Sequence, residues 1–107
     1  MNQQFGLKDS DLEIILGVLA KFPQIEKAFI YGSRANNTYK PGSDIDIAIV
    51  GDVRYIAWDL SSELNEETLL PYHFDITDYN RIKEPALKEQ IDKYGIVLYD
   101  INNNGFT

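Results

Sequence analysis

Two β-prone runs, KAFIY at 27–31 and IDIAIV at 45–50, are joined only by the polar stretch from Gly32 to Asp44. A parallel pair of strands needs a crossover of about a dozen residues or more, usually containing a helix. The connection here holds Asn36, Asn37, Pro41 and Gly42, which suit a brief helical turn followed by a loop. Elsewhere strands and helices alternate, the usual signature of a parallel sheet. The short connection makes an all-parallel arrangement the weaker choice. The expected fold is α+β, a mixed sheet of about four strands with helices packed against it.

The remaining elements follow from periodicity and breakers. Ser10 and Glu13 form a capping-box pattern, Leu12, Ile15, Leu16 and Leu19 fall at helical spacing, and Pro23 forbids continuation. Residues 54–67 read as a second helix with Tyr55, Trp58, Leu60 and Leu64 facing inward. Pro71 precedes a strand at 72–76, YHFDI, in which Tyr72, Phe74 and Ile76 take the buried face and His73 and Asp75 the other. A third helix is expected over 81–94, with Leu87, Ile91 and Tyr94 on one face and Gly95 just past its end. IVLY at 96–99 is the last strand, and the tail 101–107 is expected to fray. No repeat or linker divides residues 1–107, which read as a single domain.

Composition narrows the function classes. Ten Lys and Arg against seventeen Asp and Glu give a formal charge of −7, the wrong sign for a direct nucleic-acid binder. The same balance leaves room for cations and for a basic protein partner. With no cysteine there is neither a disulfide framework nor a thiolate zinc site. Neither a secretory signal pattern nor an apolar run of spanning length occurs, so the expected setting is the cytoplasm, away from membrane.

Chemistry concentrates in a few residues. Asp44 and Asp46 lie at the start of the 45–50 run, and side chains at i and i+2 of a strand share a face, about 6.6 Å apart along it. Two carboxylates so aimed repel unless a cation lies between them. Hard divalent ions such as Mg²⁺ take such oxygens together with water and substrate phosphates. An isolated D-x-D is also a common way to solvate a strand end, so its neighbours carry the weight. Gly32 and Ser33 follow a strand and open a turn, where a glycine lets the backbone approach a phosphate. A plain turn with Ser33 as cap explains them equally well. No Walker loop or G-x-G-x-x-G pattern is present. Asp75 is the third candidate, since an aspartate inside an apolar strand is costly unless it is solvated, paired or cation-bound. If its strand adjoins the one after Asp44, three carboxylates converge. His73 either orients a carboxylate or lies at the surface, and Arg34 and Lys40 either meet phosphate or are solvated loop cations.

The stretch GSRANNTYKPGSDIDIAIVG, joined to the downstream FDI, resembles the minimal nucleotidyltransferases of the DNA polymerase beta superfamily. Gly32-Ser33, Asp44, Asp46 and Asp75 match that pattern position for position, and IDKYGIVLYD is similar to the family's closing helix and strand. The resemblance covers nearly the whole chain. It implies transfer of a nucleoside monophosphate, AMP from ATP, to a hydroxyl with two Mg²⁺ ions, for which Mn²⁺ can substitute. By the same resemblance Asp44 and Asp46 hold both metals. Asp75 ligates the catalytic one and helps deprotonate the acceptor, and Gly32 and Ser33 hold the terminal phosphates. The chain departs from the pattern at Asn36-Asn37, where members often carry Arg-Gly.

On this resemblance catalytic machinery is expected to fill the chain, leaving no second domain to hold an acceptor. The resemblance therefore points to a protein acceptor, a HEPN-type helical toxin encoded nearby and joined in a hetero-oligomer, with AMP placed on a tyrosine. Two other readings are a non-catalytic nucleotide-binding module that neutralises its partner by contact, and transfer to a small-molecule hydroxyl such as an aminoglycoside.

Overall fold

The computed structural model describes residues 5–103, and its centre is a four-stranded sheet in the order β3-β2-β1-β4. The strands are β1 Ile25–Tyr31, β2 Ile45–Gly51, β3 Phe74–Asp78 and β4 Ile96–Asp100. β1 pairs antiparallel with both β2 and β4, while β2 and β3 run parallel. The short connection after Gly32 thus joins an antiparallel pair, and the one parallel pair is bridged by the helix that follows β2. The sheet is mixed, and the fold is α+β.

Helix α1, Asp9–Ala20, buries Leu12, Ile15, Val18 and Leu19 against one sheet face. On that face Ala28, Ile30, Ile45, Ile47, Ile49 and Phe74 complete the main core with Leu60 and Leu64. Helix α3, Pro85–Tyr94, covers the other face through Ile91 and Leu87, which pack with Tyr31, Ala48 and Phe29. β2 is therefore covered on both sides, which is why IDIAIV is nearly continuous in apolar residues instead of alternating.

Several local expectations change. α1 begins at Asp9 with Lys8 at the N-cap and no side-chain cap, so Ser10 lies inside the helix and the capping box does not form. The second helix is shorter than 54–67. α2 spans Ala57–Ser62 and widens into a π-helical turn at Glu63–Glu67. Leu60 and Leu64 are buried as expected, but Tyr55 and Trp58 are 81% and 76% exposed. Trp58 lies two helical positions, about 200°, from Leu60, so one helix cannot bury both. α3 starts at Pro85, not 81, because a proline fits the first turn and holds Glu84 extended before it. Tyr94 is 58% exposed.

Gly95 has an extended backbone (φ −65°, ψ 143°), not the left-handed one typical of that position. A side chain there would press on the Ile91 carbonyl, and this close approach is what calls for glycine. Of the tail, Ile101–Asn103 form a 3₁₀ turn, and residues 104–107 lie outside the described residues.

Candidate active site

The row that matters runs across three strands. Tyr31 on β1 stands opposite Asp46 on β2, and Asp46 stands beside Asp75 on β3. Paired residues in a sheet project to one face, here the face that α3 only partly covers. β3 begins two residues later than expected, at Phe74. An even shift leaves the faces unchanged. His73 and Asp75 are exposed and Phe74 is buried, as the alternation requires. Asp44 precedes β2 and is exposed, whereas Asp46 is half-buried.

The turn after β1 is fitted to Asp46. Gly32 has φ +76°, and a Cβ there would fall inside contact of Asp46 Oδ2 and 3.4 Å from its Cγ. No other residue type combines that backbone with that approach. From Gly32 the chain makes one tight turn. The Asn36 amide donates to the Gly32 carbonyl (3.0 Å) and the Thr38 amide to the Ser33 carbonyl (2.9 Å). Asn37, at the position where members of the resembled family often carry glycine, has φ +62°, which asparagine tolerates better than most side chains.

Electrostatics tie these groups together. Burial raises the Asp46 carboxyl above the ordinary range, and the charges of Asp75 and Asp44 raise it further, against an opposing pull from His73. The Tyr31 phenol is also raised, first by burial and then by Asp46 and Asp75, although its bond to Thr77 works the other way. The Tyr31 hydroxyl lies 3.0 Å from Thr77 Oγ1, so it spans the sheet from β1 to β3 past Asp46. Negative charge is thus concentrated at one end of β2 and β3, where a hard cation would relieve it. As the side chains stand, no group of three His, Cys, Asp or Glu among the described residues is gathered to ligate an ion.

Sequence reasoning missed three supporting residues. Asn65, in the π-helical turn, accepts from the Phe74 amide (2.7 Å) and donates to the Phe74 carbonyl (3.0 Å), standing in for a neighbouring strand beside Asp75. In the sequence Tyr31 shows only as the last residue of a β-prone run. Arg34 is not a solvated loop cation. It is 3% exposed and its hydrogen bonds go to main-chain carbonyls. Lys40 remains an exposed loop residue. A groove of about 390 Å³ is lined by Arg54, Ile76, Thr77, Arg81 and Leu87, of which Thr77 is the hydrogen-bond partner of Tyr31.

Residues 13–104 match the family model described as Polymerase beta, Nucleotidyltransferase. The chain is 27% identical over 99 residues to the Haemophilus influenzae protein named Probable protein adenylyltransferase MntA, covering 91% of this chain and 86% of that one. Among solved structures, a toxin–antitoxin with AMP-PNP superposes with a TM-score of 0.68 at 23% identity, over 91% of this chain and 77% of that one. A tri-AMPylated Shewanella oneidensis HEPN toxin in complex with MNT antitoxin gives 0.64 at 20% identity, over 89% and 74%. These two likenesses are of fold.

Proposed function

Because the chain belongs to the polymerase beta nucleotidyltransferase family, we propose that it is an antitoxin enzyme moving AMP from ATP onto a tyrosine of a HEPN-type partner. The observation that carries the reading is the register of Asp46 beside Asp75, with the Gly32 turn closed against Asp46. The similarity to a protein named as an adenylyltransferase supports the nucleotide and the protein acceptor. A fold shared with toxin–antitoxin complexes, one of them AMPylated, supports the partner.

In this proposal Asp44, Asp46 and Asp75 are the catalytic carboxylates and the metal ligands. The donor set is all carboxylate oxygen, which suits Mg²⁺ or Mn²⁺. Two such ions, when bound, would offset charge on the transferring phosphate. Asp75 takes the proton from the acceptor hydroxyl as its oxygen bonds to the α-phosphorus of ATP. The bond from that phosphorus to the bridging oxygen breaks, and pyrophosphate leaves. The main-chain amides around Gly32 and the Ser33 hydroxyl hold the terminal phosphates while this happens.

Mass spectrometry of the co-purified partner, incubated with the chain, ATP and Mg²⁺, tests this. The expected result is a gain of one or more AMP units on a tyrosine. No gain with partner, metal and nucleotide all varied overturns it. A second reading, neutralisation by stoichiometric contact, is favoured by one observation: the three carboxylates are not gathered into a ligating group. The double substitution Asp44→Asn with Asp46→Asn separates the two. Neutralisation is lost under the enzymatic reading and persists under the contact reading, while the complex forms in both.

A further inference from the structure

A buried guanidinium is expensive unless every donor is satisfied, and Arg34 is buried outside the acidic row. Its Nε and Nη2 donate to the Ser43 carbonyl at 3.2 and 2.9 Å, and its Nη1 donates to the Phe5 carbonyl at 2.8 Å. The Tyr39 and Tyr72 rings lie against it, with centroids 5.3 and 5.1 Å from Cζ. All these hydrogen bonds go to main chain, so the side chain's position, more than its charge, is what the surrounding structure uses.

The segments it joins are those that carry the candidate site. Arg34 itself follows Gly32-Ser33. Ser43, which it grips with two bonds, immediately precedes Asp44. Tyr72 lies three residues before Asp75 and is anchored in turn to α1, its hydroxyl donating to Asp11 at 2.9 Å. Phe5, whose carbonyl takes the third contact, has φ +60°, a conformation an aromatic residue keeps only when its surroundings impose it. One planar side chain therefore fixes the phosphate turn, the approach to Asp44 and the approach to Asp75.

We propose that Arg34 is a positioning residue, fixing the backbone of the Gly32-Ser33 turn and of the approaches to Asp44 and Asp75, from which those side chains can close on a divalent cation with nucleotide. The proposal rests on the nucleotidyltransferase reading of that site. Lysine keeps the charge but not the fork or the stacking. Residues that orient metal ligands from behind change metal affinity by about 10–100-fold when replaced.

The test is Mn²⁺ binding, followed by electron paramagnetic resonance with AMP-PNP present, for wild type, Arg34→Lys and Arg34→Ala. Each is assayed well below its own melting temperature with circular dichroism confirming the fold. The expected result is an apparent Mn²⁺ affinity about 10–100-fold weaker in both variants. Millimolar guanidinium should restore part of the Arg34→Ala loss, and methylammonium should not. If folded Arg34→Lys binds Mn²⁺ and nucleotide like wild type, the positioning role is wrong and the site reading survives. If wild type itself binds neither, the site reading fails as well. Should Arg34→Ala not fold, Tyr39→Leu, which leaves the hydrogen bonds and removes one ring, is expected to weaken Mn²⁺ several-fold less than Arg34→Lys. An equal or larger loss from the ring alone would overturn the emphasis on the carbonyl bonds.

Discussion

At position 32 the requirement for glycine comes from a carboxylate on another strand. Gly32→Ala would put a methyl against Asp46 Oδ2 and a side chain on a backbone with φ +76°. The left-handed backbone alone costs about 1–2 kcal/mol, so urea unfolding should show at least that loss, with nucleotide binding impaired as Asp46 is displaced. A stable alanine variant with normal binding would mean that the turn does not serve Asp46. Asp46 itself should show the opposite sign in stability. Its carboxyl is raised by burial first and then by Asp75 and Asp44, so its ionised form opposes folding. That penalty is fully present above the folded-state value and relieved as pH falls through it, because the native state then binds the extra proton. Asp46→Asn should therefore stabilise the metal-free protein at neutral pH. The gain should shrink as pH drops into the range where wild-type Asp46 protonates. A thermal-melt series across acidic to neutral pH would show it, and a gain that grows toward acid would contradict the assignment.

Among the secondary-structure elements, the entrance to β3 depends on one amide side chain. Asn65→Ala would leave the Phe74 amide and carbonyl without their partner. An unsatisfied buried group costs about 1–3 kcal/mol, and hydrogen exchange at the Phe74 amide should accelerate more than exchange in β1. Unchanged protection there would show that β2 alone holds the strand. The sequence could not reveal Asn65, because its role arises from a contact with a distant strand and leaves no periodic trace. The same holds for Arg34 and for Tyr31, whose hydroxyl reaches Thr77. The acidic pair at 44 and 46 was legible because polar residues interrupt an apolar run, and Asp75 because alternation survives a two-residue error in strand position. Tyr55 and Trp58 were misplaced for a definable reason. The helix begins at Ala57, not 54, and its large apolar side chains do not all point inward.

For the molecule as a whole, the excess of negative charge and the small size act together. The Cα extents are 35 × 29 × 26 Å. At about 0.01 M ionic strength the screening length is about 30 Å, comparable with the whole protein, and at about 0.15 M it falls to about 8 Å. Across that interval every part of a chain with net charge −7 goes from repelling the rest to repelling only its neighbours, so added NaCl should raise the melting temperature. Mg²⁺ at matched ionic strength should do more than NaCl if the carboxylates at the ends of β2 and β3 bind it, since a ligand of the native state alone stabilises by mass action. That excess should saturate with concentration and be absent from the Asp44→Asn, Asp46→Asn double variant, which keeps the NaCl response. Equal effects of Mg²⁺ on both proteins would assign its action to diffuse screening. The acidic row would then be a repulsive feature of the fold with no cation of its own.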